Sequence, residues 1–167
     1  LRSLDMRVSV EELNDGNLAR TVQLLNKTNQ MNLTTRRMTE GELLAWVRDG
    51  GRRLWTFRVA DKYGYAGLTG ILAVDPADGT ATVTDFVLSC RVMGRKVEET
   101  MLSIAVDHAR HAGLERVLAR FVPTDRNGPC LEFFRRSGFR FVDPDTFLWS
   151  AADDYPVPAS VAVERRT

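Results

Sequence analysis

The sequence predicts a mixed α/β (α+β) domain, a mostly antiparallel sheet with helices on both faces. Two observations carry this. Helical and strand periodicities alternate along the chain, and three consecutive strand signals in the middle are joined only by short turns, as in an antiparallel meander. The apolar side of each helix then needs a sheet face to cover it. At 167 residues, 44% apolar and 27% charged, the chain suits one domain with a single sizeable core.

Residues 6–10 alternate weakly as a first strand. Leu18, Val22, Leu24 and Leu25 fall near one helical face, which predicts a helix running to residue 27 from a start at Asn14 or Asp15. Thr39 and Glu42 have capping-box spacing ahead of Leu43, Leu44, Trp46 and Val47, and Asp49-Gly50-Gly51 ends the pattern, so a second helix spans about 40–48. Strands follow at 53–60, 67–74 and 80–88, separated by the turn-forming Asp61-Lys62-Tyr63-Gly64 and Asp75-Pro76-Ala77-Asp78-Gly79. A helix at 96–112, a strand at 116–122, a helix at 128–137 and one or two closing strands within 139–149 complete the order β-α-α-β-β-β-α-β-α-β. Pro156, Pro158 and the charged Glu164-Arg165-Arg166 predict a flexible tail over 156–167, which leaves 6–155 as the domain. Residues 1–5 have the composition of a linker, as if from a domain that precedes them.

The charges nearly cancel, 23 basic against 22 acidic residues for a net +1, so no global field attracts nucleic acid or an anionic membrane. Any anion site must be local. Two cysteines, Cys90 and Cys130, make neither a metal cluster nor a disulfide framework, and no apolar run is long enough to cross a bilayer. The expected setting is the reducing cytoplasm, without a metal.

Two stretches point to chemistry. The run 26–37 holds Asn26, Thr28, Asn29, Gln30, Asn32, Thr34, Thr35, Arg36 and Arg37, more hydrogen-bonding side chains than capping requires, which predicts the wall of a site. The second, Cys90-Arg91-Val92-Met93-Gly94-Arg95-Lys96, follows a strand and opens a helix. That arrangement aims backbone N–H groups and the positive helix end at one point, where a pyrophosphate would suit. Gly94 allows close approach, and Arg91, Arg95 and Lys96 add cations. One strand later comes Asn127-Gly128-Pro129-Cys130-Leu131-Glu132-Phe133-Phe134-Arg135-Arg136-Ser137-Gly138-Phe139.

This pair of motifs, in this order, resembles the GNAT N-acyltransferase superfamily. The resemblance implies the GNAT acyltransferase-like fold and a Q/R-x-x-G-x-G/A loop, matched by Arg91 and Gly94, that binds the pyrophosphate of coenzyme A. Pantetheine would lie along the preceding strand, where it parts from the next. Leu88, Ser89, Val92, Met93, Arg95, Lys96, Asn127 and Phe133 join the implied cofactor-binding set. Lys96 departs from the small third residue. Asn127, Phe133, Gly138 and Phe139 match N-x-x-A-x-x-F-Y-x-x-x-G-F, but Phe134 replaces the tyrosine that commonly protonates the departing thiolate, and phenylalanine has no proton to give. That loss matters less where the acceptor is itself a thiol, because an alkyl thiol titrates near ~8.5.

Residues 26–37, 85–95 and Phe121-Val122-Pro123-Thr124 look like the carboxy-terminal region of FkbH-like proteins, a likeness covering about residues 6–149. Such proteins join an amino-terminal HAD-type phosphatase-like domain to a GNAT-like domain and load a glyceryl unit from 1,3-bisphosphoglycerate onto an acyl carrier protein, toward methoxymalonyl-type polyketide extender units. The resemblance therefore implies the phosphopantetheine arm of a carrier protein, or coenzyme A, as cofactor, and the carrier and a HAD-like domain as partners.

Individual residues keep two readings. Cys90 is a transient acyl carrier beside Arg91, or a buried strand thiol. Asp85 is a general base, or a strand residue pointing away from the site; Asn127 binds a pantetheine amide, or caps a helix. Asn29, Asn32, Thr34 and Arg36 receive a hydroxylated acyl group, or cap and turn the chain. Cys130 reads as core, His108 and His111 as surface. Two rival functions stand beside glyceryl transfer: a self-sufficient acyl-coenzyme A-dependent acyltransferase, and a non-catalytic module that docks a carrier protein.

Overall fold

The computed structural model describes residues 6–166, so the linker expected at 1–5 lies outside the described residues. In order these form β1 (Met6–Glu12), α1 (Leu18–Lys27), β2 (Met31–Asn32), α2 (Glu40–Val47), β3 (Arg53–Asp61), β4 (Gly64–Ala77), β5 (Thr80–Leu88), a 3-10 turn (Cys90–Val92), α3 (Val97–His111), β6 (Arg116–Arg120), α4 (Gly128–Arg136), β7 (Arg140–Asp143), β8 (Thr146–Ser150) and β9 (Val161–Arg166). One sheet runs β7-β8-β6-β5-β4-β3-β1-β9, with β2 attached to β5. Only β5–β6 and β1–β9 pair in parallel; the other pairs are antiparallel.

Strand parity divides the core. Trp55, Phe57, Leu72, Phe86 and Leu88 meet α3 and α4 on one face, while Leu54, Ile71 and Val87 meet α1 and α2 on the other. Phe133 stacks on Phe86 with centroids 5.6 Å apart, and Phe134 packs between Phe86 and Phe147 at 5.2 and 5.5 Å. Such aromatic pairs contribute about 0.5–1.5 kcal/mol each beyond their buried area, and they fix α4 against the sheet.

Local chemistry sets the element ends. The capping box of α2 is present in both directions, Glu42 N donating to Thr39 Oγ1 and Thr39 N to Glu42 Oε1. The hairpin between β4 and β5 turns on Asp78 and Gly79, both at positive φ, so the strands extend well into the five-residue turn the sequence predicts. Helix α1 begins at Leu18 rather than at Asn14 or Asp15, because Asn14 Oδ1 accepts the N–H groups of Gly16 and Asn17 and makes an Asx turn instead.

The expectation of a flexible tail is corrected over Val161–Arg166, which pairs with β1 along its length. The connection to it is anchored by Tyr155, whose hydroxyl donates to the Ser137 carbonyl at 2.6 Å.

Candidate functional site

Strands β5 and β6 pair only over Thr80–Val83 and Arg116–Ala119, after which β5 runs on alone to Leu88. The two strands part, as the family resemblance implies. The gap, however, is filled by the chain itself. Met31 and Asn32 pair with Leu88 and Val87, Leu33 N donates to the Phe86 carbonyl at 3.1 Å, and Val122 N donates to the Leu33 carbonyl at 3.0 Å. Residues 31–33 thus stand as a short strand along the edge of β5 that a pantetheine ribbon would use.

Most of the Asn-rich run and two expected catalytic groups hold this insert in place. Asn127 is fully buried. Its Nδ2 donates to the carbonyls of Asn32 (3.0 Å) and Val122 (2.9 Å), and its Oδ1 accepts from Thr124 N (2.8 Å). It is neither a side-chain cap nor an open ligand contact: it ties β2 to the loop between β6 and α4. Asn32 donates to the Thr28 carbonyl and accepts from Thr35 N, and the Thr34 hydroxyl donates to the Thr84 carbonyl at 2.6 Å. Thr35 sits at φ 55, a strained value for a β-branched residue, where the insert turns back.

Asp85 is 1% exposed and takes both arms of the Arg36 guanidinium, Nε to Oδ1 at 3.2 Å and Nη2 to Oδ2 at 2.5 Å, with the Thr84 hydroxyl added. Arg36 also lies 4.7 Å over the Trp46 ring. The carboxylate expected as a general base at 85 is thus engaged by Arg36 and Thr84, a pairing that fixes it in the framework. Asn32, Thr34 and Arg36 are likewise framework rather than acyl contacts.

The anion loop keeps its backbone shape but not its free charges. Gly94 is exposed at φ 77, and Lys96 takes φ 73, a left-handed conformation that glycine adopts without penalty. Arg91 Nη2 donates to the Ala66 carbonyl, Arg95 pairs with Asp61 at 2.9 Å, and Lys96 Nζ lies 3.8 Å from Glu99. The side chains of Val92 and Phe133 are buried in the core and that of Met93 packs against it, which leaves these three only their backbone groups to offer a cofactor. The Gly94 N–H is itself occupied, donating to Glu98 Oε2 at 2.8 Å.

An open cleft of about 760 Å³ lies at the end of β5. Thr28, Asn29 and Gln30 form one wall, Leu88, Ser89 and Cys90 the floor, and Asp125, Arg126 and Pro129 the other wall. Arg20 and Lys27 complete the rim, so three cations face one carboxylate. The Asn-rich run and the anion loop do meet, then, but through residues 28–30 and 88–90. Cys90 is exposed, against the reading of a buried thiol. Arg20 and Lys27 stand two turns apart on α1 and Arg126 in the loop before α4, and only the fold gathers the three at one rim.

The remaining titratable groups are less suited to chemistry. Cys130 is fully buried, and desolvation pushes its thiol far up, so it is an inert core residue. Burial pushes the Tyr155 phenol up to about 12 while its hydroxyl serves Ser137. Burial, with Arg53 assisting, lowers the His108 pKa, and its ring lies 5.0 Å from Trp55, which makes it a partly buried residue rather than the surface one expected. Among the described residues no cluster of three or more His, Cys, Asp or Glu is placed to hold a metal, and no helix is long and apolar enough to cross a membrane.

This element order and sheet topology are the GNAT acyltransferase-like fold. The chain is similar to Ard1 from Thermoplasma volcanium (TM-score 0.66, 15% identity, 86% of this chain and 97% of that one). It is also similar to a GNAT-family acetyltransferase from Staphylococcus aureus Mu50 (0.64, 9%, 86% and 99%). A third, the spermidine N-acetyltransferase of Vibrio cholerae solved with coenzyme A and spermine, gives 0.61 at 15% identity over 87% and 96% of the two chains. No protein-family model matches the sequence, and no curated protein matches it.

Proposed function

We propose that this chain is the GNAT-like part of an FkbH-like glyceryl-transfer protein, and that the phosphopantetheine arm of an acyl carrier protein, or of coenzyme A, enters the cleft beside Cys90. The observation that carries this reading is the cleft itself, which sets an exposed thiol and neutral amide side chains inside a rim of three cations. Thr28, Asn29 and Gln30 suit the hydroxyls of a short acyl group, and Lys27 and Arg126 suit a phosphate. Phe134 fits a thiol acceptor: it cannot act as an acid, and thioester exchange between thiols expels a thiolate whose conjugate acid titrates near ~8.5 and needs no proton in the step. The resemblance to FkbH-like proteins assigns delivery of the glyceryl group to a HAD-like domain and its receipt to a carrier protein.

The filled strand gap favours a second reading, in which the domain docks a carrier protein without taking its arm. Alkylation of Cys90 by a maleimide separates the two. Phosphopantetheine and coenzyme A are expected to slow the reaction saturably, and Arg126→Ala and Lys27→Ala to raise the concentration needed. An alkylation rate unchanged by either compound overturns the proposal.

A further inference from the structure

Glu98 stands in the first turn of α3, 1% exposed, directly under the anion loop. Its Oε2 accepts the Gly94 N–H at 2.8 Å, while its buried Oε1 has no hydrogen-bond partner. A carboxylate therefore already sits where the loop and the helix start present their amides, the place a bound phosphate would use. The nearby cations are also committed, Arg95 to Asp61 and Lys96 to Glu99.

We propose that Glu98 is the built-in occupant of the loop between β5 and α3 and decides what that loop accepts: a phosphate or pyrophosphate takes the Gly94 amide only when the Glu98 carboxylate is neutralised by a proton. Two anions cannot share that buried point, so binding there is coupled to proton uptake. The charged and titratable groups around Glu98 are Glu99 and Lys96 beside it and, from α4, Arg136 and the neutral Cys130. Burial dominates and raises the Glu98 pKa from its ordinary 4.5; the Gly94 amide and the backbone N–H of Glu98 itself oppose the rise, Glu99 adds to it, and Arg136 lowers it. Burial thus biases the Glu98 carboxylate toward taking up a proton when a second anion arrives. The consequence for the arm is selectivity. A single phosphate held at the Lys27 and Arg126 rim avoids Glu98, whereas the pyrophosphate of coenzyme A in the loop must contend with it.

The inference rests on the reading that a phosphate-bearing arm docks at this end of the sheet, but inorganic pyrophosphate probes the loop without the arm. Calorimetry with pyrophosphate, on wild type and Glu98→Gln at about pH 5.5 and about pH 8, is the test, since the difference between the proteins cancels the ligand's own titration. Glu98→Gln is expected to bind about tenfold more tightly at the higher pH, with the gap closing at the lower one. In wild type, buffers of different ionisation enthalpy should reveal proton uptake that the variant lacks. Should that variant fold poorly, Glu98→Ala supplies the same difference measurement. Equal affinities at both pH values, a gain independent of pH, no proton uptake by wild type, or no binding by either protein overturns the inference. Protection of Cys90 by phosphopantetheine is measured separately, so either proposal can fail without the other.

Discussion

Asn127→Ala removes the clamp that holds residues 31–33 in the gap between β5 and β6. Two carbonyls, of Asn32 and Val122, lose their amide donor, and Thr124 N loses its acceptor, all around a side chain with no solvent exposure. A buried polar group stripped of its partner costs about 1–3 kcal/mol, but water can enter once the side chain is gone, so the low end applies to each and the loss is about 3 kcal/mol. For a domain of this size that lowers the Tm by roughly 6–12 °C. Urea unfolding followed by fluorescence gives the stability, and hydrogen exchange gives the location. The amides of Leu33 and Val122, which bond to Phe86 and Leu33, are expected to lose protection first. A loss below about 0.5 kcal/mol, the level of ordinary surface substitutions, or unchanged protection at Leu33 and Val122 would refute the clamp.

Asp85→Asn is expected to cost about 3 kcal/mol by leaving Arg36 without its charge partner, with no change in the alkylation rate of Cys90; a fully stable Asp85→Asn protein would contradict the clamped pair. Lys96→Gly releases a left-handed residue worth about 1 kcal/mol and adds part of that back as unfolded-chain entropy, so a net gain of about 0.5 kcal/mol is expected in urea titrations. A loss of more than about 1 kcal/mol would mean that the Lys96 side chain holds the loop.

The architecture was legible because helices α3 and α4 and the central meander each satisfy a strong local rule. The capping box at Thr39 and Glu42 fixes α2, and Asp78-Gly79 fixes the β4–β5 hairpin. What was not legible depends on distant partners. Two residues, Met31 and Asn32, carry no strand periodicity of their own; β5 makes them a strand by offering an edge that β6 has left. Val161–Arg166 is similarly drawn into the sheet by β1, although its charges and the prolines before it read as tail.

The site divides the same way. The excess of polar side chains in residues 26–37 was real, but it serves two purposes: Thr28, Asn29 and Gln30 face the cleft, while Asn32, Thr34 and Arg36 secure the insert. Nothing in one dimension distinguishes them, because the turn after Gln30 decides which way each side chain points. Glu98 was invisible for a related reason. A glutamate in a first helical turn is ordinary on a surface, and only its burial beneath Gly94 makes it unusual.

The most direct test of the proposed function compares an acyl carrier protein in its holo and apo forms, titrated against this chain. Entry of the arm beside Cys90 predicts tighter binding of the holo form, with the difference diminished in Arg126→Ala and abolished when Cys90 is first alkylated. Equal binding of the two forms would contradict it and leave a domain that recognises the surface of its partner alone.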